Sequence, residues 1–258
     1  MSSEIQVNVR NLKVSYGKNV AVRDISFELK KGEILAIIGP NGSGKTSTVE
    51  CIEGLRKPTY GQVSVFGMNP QTQRKQIYKH LGVQLQETQY PDKIRVQELC
   101  ELFSSFYEKS ADWEVLLTKL GLEDKRNRDV SKLSGGEKQK LSILLALLPK
   151  PRLLILDELT TGLDPEARRS LWNSIRAVKE AGISVLLISH FMDEVEYLSD
   201  RILFLKKGEI FFIGTSLEMK NTAVNTCHFS DHGDNISLED VYIAMVGKQG
   251  ELDLEVLS

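Results

Sequence analysis

The eight residues GPNGSGKT at 39–46 restrict the fold of this chain more than any others. They match G-x-x-x-x-G-K-[ST], and the setting matters as much as the letters. Just before them, residues 34–38 (ILAII) form an unbroken apolar run, as in a strand covered on both faces. Just after them a helical stretch runs from Lys45 to about Leu55. A strand that passes through a glycine turn into a helix offers bare backbone N–H groups and the positive end of the helix to an anion. Gly42 and Gly44 let those N–H groups turn inward around a phosphate. Lys45 is placed to reach the β- and γ-phosphates of a nucleotide, and the Thr46 hydroxyl to ligate magnesium. The competing reading is a plain glycine turn before a helix, which the flanking strand and helix disfavour. The loop fixes nucleotide phosphates; it does not say which class of NTPase carries it.

The rest of the chain alternates in a way that suits this core. IQVNV, ISFEL and QVSVF in the first third alternate apolar with polar residues, as half-exposed strands do. Residues 94–150 read as helical, since VQELCELFSSFY, WEVLLTKLGL and GEKQKLSILLALL place apolar side chains three and four apart. LLIL at 153–156, a helix near 166–180, SVLLIS, another helix and RILFL follow, so strand and helix alternate as in a mostly parallel α/β sheet. The organisation expected is one nucleotide-binding domain over residues 1–220, with the helical segment 94–150 inserted as a subdomain. Residues 221–258 would be a small extension, polar and loop-like over 221–235, with a helix near 238–246.

Composition removes several classes. A net charge of −2 gives no positive field that would draw nucleic acid. Cys51, Cys100 and Cys227 are odd in number and lack CxxC spacing, which suits reduced thiols and neither a disulfide frame nor a zinc site. The N-terminus MSSEIQVNVR has no apolar core of a signal peptide, and no apolar run nears the roughly 20 residues of a membrane helix. The expectation is a cytoplasmic chain, peripheral on the inner face of the membrane if it docks there.

Two further motifs carry chemistry. LLILDE at 153–158 is an apolar strand that ends in two acids. Asp157 at the strand's carboxyl end suits a magnesium-holding carboxylate, and Glu158 suits the polarisation of an attacking water. Without the phosphate loop, these acids would read as the polar start of a loop. LSGGE at 133–137 opens a helix, and Ser134-x-x-Glu137 makes a capping box. Ser134, Gly135 and Gly136 also expose N–H groups at a helix N-terminus, a second anion site. One monomer has no use for two γ-phosphate cradles, whereas a pair of monomers does if each cradle closes on the other's nucleotide.

In this order GPNGSGKT, LSGGE, LLILDE, the TGLDP of 161–165 and the ISH of 188–190 resemble the ABC ATPase family over about residues 5–215. The resemblance implies an α/β fold: a P-loop NTPase (RecA-like) core with an N-terminal antiparallel β subdomain and the inserted α-helical subdomain. It implies ATP and Mg2+ as cofactors. ATP would be held by Gly39, Pro40, Asn41, Gly42, Ser43, Gly44, Lys45, Thr46 and Ser47, with adenine stacked on Tyr16. Thr46, Asp157 and Gln86 would hold magnesium. Glu158, His190 and Gln86 would be catalytic. Ser134, Gly135, Gly136 and Glu137 would complete the site of a partner copy, and Asp164 would lie at the dimer seam.

GVQLQET, HFMDEVEYLSDRI and SLEDVYIAMVG further resemble ATPase subunits of ABC-2-type exporters of drugs, antibiotics and polysaccharides. The partners implied are a polytopic membrane permease and a second ATPase subunit, identical or paralogous, with no nucleic acid. Residues 87–95 (ETQYPDKIR) would receive a helix of the permease. The alternative within the family is a non-transport ABC ATPase of iron–sulfur assembly, DNA repair or translation. A nucleotide kinase, a GTPase and a regulatory ATP-binding module are disfavoured by LSGGE, Glu158 and His190. Two residues depart from the family pattern: Glu137 stands where Gln is common, and Leu159 where Pro is usual.

Overall fold

A computed structural model describes residues 4–84, 90–91, 93–227 and 236–247. Two sheets organise it. Strands β1 (Ile5–Tyr16), β2 (Asn19–Lys30) and β4 (Tyr60–Val65) form an antiparallel sheet in the order β2-β1-β4. Their apolar positions, such as Val7, Val9, Ile25 and Val65, are buried, as the alternation predicts.

The second sheet has the order β5-β6-β7-β3-β8-β9. Its members are β3 (Ile34–Ile38), β5 (Leu81–Val83), β6 (Leu153–Asp157), β7 (Ser184–Ile188), β8 (Arg201–Lys206) and β9 (Glu209–Gly214). All neighbours are parallel except β9, which pairs antiparallel with β8. Every residue of β3 and β7 is buried, which is why β3 reads as an unbroken apolar run and β7 as one after its first residue, Ser184.

The helices divide between this sheet and a separate helical segment. They are α1 (Lys45–Ile52), α2 (Arg74–Tyr78), α3 (Val96–Ser104), α4 (Trp113–Lys119), α5 (Gly135–Leu147), α6 (Pro165–Glu180), α7 (Met192–Leu198), α8 (Ser216–Cys227) and α9 (Leu238–Val246). The segment from α3 to α5 has its own core of Val96, Leu99, Leu117, Leu122, Leu141 and Leu144. α5 reaches back from it, because Ile143, Ala146 and Leu147 pack with β6, β7 and α6.

Three features differ from the sequence reading. Residues 221–227, expected in a loop, continue α8. Residue 220, the expected domain boundary, therefore falls inside a helix. β9 was not foreseen either. Met219 and Ala223 of α8 and Leu238, Val241 and Met245 of α9 pack on Ala36, Ile38, Ile202 and Phe204 of the sheet. Lys206 Nζ donates to the Met245 carbonyl at 2.7 Å. Among the described residues no helix is long and apolar enough to cross a membrane.

Candidate functional site

The phosphate loop leaves β3 and is walled by neighbouring backbone. A Cβ on Gly39, at φ +147°, would overlap the Leu205 carbonyl of β8, and one on Gly44, at φ +103°, would lie 2.7 Å from the Ala21 carbonyl oxygen. No other residue type fits either position. The β8–β9 turn closes the wall, since Gly208 N–H donates to the Ser43 carbonyl at 3.2 Å. Within the loop, Lys45 Nζ donates to the carbonyls of Gly39 (2.7 Å) and Pro40 (3.2 Å). Burial lowers the Lys45 pKa, and the charges of Glu158 and Asp157 oppose that shift. The Ser43 hydroxyl is buried with no hydrogen-bond partner.

Asp157 ends β6 beside Ile188 of β7, so the sheet delivers it to the carboxyl edge where α/β proteins bind ligands. Its pKa is pushed up to about 6, first by burial and then by Glu158, with Lys45 pulling the other way. Glu158 has φ +51°, a left-handed conformation costly for a residue with a Cβ. Two backbone groups hold it there: its N–H donates to the Ile188 carbonyl at 2.9 Å, and its carbonyl accepts from Thr161 N–H at 3.3 Å. Leu159, next in the chain, is fully buried in the core between sheet and α6. The leucine that stands where proline is usual thus anchors the turn in the core. His190 follows β7, and its Nε2 lies 3.0 Å from Glu158 Oε1.

These groups share one cavity of about 350 Å³, lined by Tyr16, residues 41–47, Asp157, Glu158, Ile188 and His190. Tyr16 is 43% exposed, and its hydroxyl shares a 3.0 Å hydrogen bond with Ser47 Oγ. The Arg56 guanidinium lies 4.3 Å from its ring centroid and is itself paired with Glu50. A larger depression of about 850 Å³ lies elsewhere, lined by residues such as Lys57, Gln62, Asn69 and Gln71, and contains no acid or histidine.

The remaining expected residues lie apart. Ser134, Gly135, Gly136, Glu137 and Asp164 do not line the cavity. Ser134 caps α5: its Oγ accepts from Glu137 N–H at 3.2 Å while its N–H donates to Glu137 Oε2 at 2.7 Å. Glu137 is thereby turned into its own helix start and lies 3.4 Å from Lys125 Nζ. The Ser134 N–H bond, followed by the Ser134 hydroxyl and Lys125, lowers its pKa. Gly135 and Gly136 approach Leu163 and Ala167 so closely that added Cβ atoms would meet those side chains at 3.3 and 3.0 Å. Asp164 caps α6, accepting from Ala167 N–H at 2.9 Å. Gln86 lies outside the described residues. Its neighbour Gln84 is buried, and Gln84 Nε2 donates to Gln139 Oε1 at 3.2 Å.

The glycine loop that lines the cavity, the unpartnered Ser43 hydroxyl and the cation Lys45 suit a polyphosphate. The half-buried Asp157 carboxylate, in the same cavity as Thr46, suits magnesium, which takes one or two protein oxygens and draws the rest from phosphate and water. The sequence reading missed two acids near this site. Glu53 sits at the C-terminal end of α1, and burial, then Asp157 and Glu50, push its pKa up to about 7 against Arg74. Glu194 lies fully buried in α7. Glu53 belongs to no motif, and Glu194 falls within HFMDEVEYLSDRI, where nothing in the sequence sets it apart from the neighbouring acids Asp193 and Glu196.

Residues 22–161, over half of the chain, match the profile of the ABC transporter family. The linearmycin resistance ATP-binding protein LnrL of Bacillus subtilis (strain 168) is 34% identical over 218 residues, 83% of this chain and 70% of that protein. The Nod factor export ATP-binding protein I of Burkholderia orbicola (strain AU 1054) is 35% identical over 207 residues, 78% of this chain and 68% of that one. Among solved structures, an ATP binding subunit of an ABC transporter superposes with a TM-score of 0.80 at 27% identity, covering 94% of this chain and all of that one.

Proposed function

The chain belongs to the ABC transporter family as an ATP-binding subunit with ATPase activity, and we propose that it powers an exporter by closing and opening a dimer around ATP. Subunits of this family dimerise and work with membrane permease components. The exporter reading rests on the linearmycin-resistance and Nod-factor-export names of its relatives.

The observation that carries the reading is the 3.0 Å contact of Glu158 and His190 at the cavity built by the phosphate loop. Residues 39–47 cradle the triphosphate, with Lys45 moving from its carbonyl partners to the β- and γ-phosphates. Thr46 and Asp157, joined by Gln86, hold magnesium, which when bound neutralises charge building on the phosphoryl oxygens. Glu158 orients the attacking water and accepts its proton, and His190 steadies Glu158 and faces the γ-phosphate. Adenine stacks on Tyr16 from the face that Arg56 leaves free. Ser134, Gly135 and Gly136 stand outside this cavity, which supports their use in trans on the partner's γ-phosphate, with Asp164 at the seam. The inward turn of Glu137 keeps its charge off that phosphate.

The permease would dock beside Glu87–Arg95, on the inner face of the membrane. Part of that segment lies outside the described residues. Tyr90 of that segment lines an apolar groove of about 150 Å³ together with Tyr78, Val83, Phe103, Tyr107 and Leu145. Phe106, close by, is 66% exposed. Aromatic side chains around a groove suit the apolar face of a helix.

Glu158→Gln tests the site. Removal of the general base should lower steady-state phosphate release by about 100-fold or more. ATP binding should persist, and the ATP-bound dimer should become isolable by size exclusion. Hydrolysis at the wild-type rate would refute the assignment.

A further inference from the structure

Glu194 of α7 is fully buried, an expensive place for a carboxyl group. Its Oε1 accepts from Trp172 Nε1 of α6 at 3.0 Å, a contact itself shielded from water. The hydroxyls of Ser189 and Thr160 face the same carboxyl and draw its pKa down, although burial still leaves it raised. Neither Glu194 Oε2 nor Thr160 Oγ1 completes a hydrogen bond, and both are buried. Unfinished polar atoms gathered in a core call for an explanation.

Their place in the chain supplies one. Ser189 immediately precedes His190, and its Oγ accepts from Phe191 N–H at 3.0 Å, so it bends the backbone around the histidine. Thr160, also fully buried, stands two residues after Glu158, inside the turn that carries the left-handed backbone of that acid. A strained backbone persists only where its surroundings over-determine it.

We propose that Glu194 is a positioning residue, a buried strut fixed by Trp172 that ties the loop of Glu158 to the loop of His190 and so sets the contact between those two side chains. The proposal rests on the roles given to Glu158 and His190 above. Glu194 is fully buried and does not line the nucleotide cavity. It acts through Thr160 and Ser189, and it gives α6 a mechanical link to both loops.

The test uses the purified full chain and four variants: E194A, E194Q, T160V and E158Q. A displacement of about 1 Å in a catalytic group costs on the order of 100-fold in rate. E194A should therefore lose roughly 30- to 100-fold in kcat with the ATP dissociation constant changed less than about twofold. E194Q keeps an acceptor for Trp172 and gains a donor for Thr160, so it should restore kcat to within about threefold of wild type. T160V preserves the shape of the turn and should fold even if E194A does not; it should lower kcat several-fold. The second readout needs no turnover. In 15N-histidine spectra of nucleotide-free protein, the His190 ring signals of E194A and T160V should move toward those of E158Q. Folded E194A or T160V with wild-type kcat and unmoved His190 signals would overturn the proposal. So would a kcat loss matched by an equal loss of folded protein. If E158Q itself hydrolyses normally, the underlying assignment fails instead, and the two failures are distinguishable.

Discussion

The backbone of Glu158 makes an unusual demand that two substitutions expose. Its φ of +51° is left-handed, where a residue with a Cβ suffers about 1–2 kcal/mol. Glu158→Ala keeps that strain, and Glu158→Gly removes it. Glycine brings a cost of its own, because it frees the unfolded chain by about 0.4–1 kcal/mol relative to alanine. Both variants lose the same contact with His190. That pair is 37% and 41% exposed, so its loss costs no more than about 1 kcal/mol and cancels in the comparison. Both also relieve Asp157 of the same neighbouring charge. The difference left over favours glycine by about 0.5–1 kcal/mol, the reverse of the usual order of the two residues. For a chain of this size that separates the melting temperatures by about 1–4 °C. Differential scanning calorimetry of the nucleotide-free variants measures it, and steady-state phosphate release should be lost in both. An alanine variant as stable as the glycine variant, or more so, would show that strain at 158 plays no part.

Other outcomes follow from the ionisable groups. The Glu53 pKa is raised to about 7, so between roughly its ordinary 4.5 and 7 the folded chain keeps a proton that the unfolded chain has released, and stability falls as pH rises through that window. Glu53→Gln should raise the melting temperature at pH 8 and leave it nearly unchanged at pH 5; equal gains at both would contradict this. Asp157, at about 6, must lose its proton to ligate a cation, so the magnesium-dependent part of ATP affinity should shrink between pH 7.5 and 5.5. Asp157→Asn should flatten that slope in titration calorimetry, leaving only the part due to ionisation of the ATP phosphates. Glu137→Gln keeps the oxygen that accepts from Ser134 N–H and gives up only the Lys125 pair, so stability should change by less than about 0.5 kcal/mol without loss of turnover. A large drop in either would mean that the carboxylate does more than cap α5.

The legible parts of this fold are those where one local signal decides. ILAII announced a doubly covered strand, and GPNGSGKT placed itself between strand and helix; both stand as read. The apolar spacing of 94–150 gave the helical insertion, although not its separate core. β9 was missed because Phe211 and Ile213 face outward and the strand shows no clean alternation. The tight Lys207–Gly208 turn between two apolar runs was the available hint of a hairpin, and Lys207 indeed takes φ +52°. α8 was hidden by polar composition, yet Thr215 and Glu218 form the capping box that opens it. At the site, motif residues were visible one by one. No spacing in a sequence states that Glu158 is left-handed or that Glu194, Trp172 and Thr160 converge, because those facts depend on which helices meet over the sheet.

α9, the last helix among the described residues, is not a bystander to the nucleotide. α9 grips Lys206 and sets the Tyr242 ring, tilted, 5.4 Å from that of Phe204, while the residue between Phe204 and Lys206, Leu205, lends its carbonyl to the wall behind Gly39. Trimming the protein ahead of residue 238 would slacken β8 and, with it, the floor on which the triphosphate rests. A tether, tag or binding protein that tugs on this end would reach the site of hydrolysis through a single strand, a short lever between the tail of the molecule and its motor.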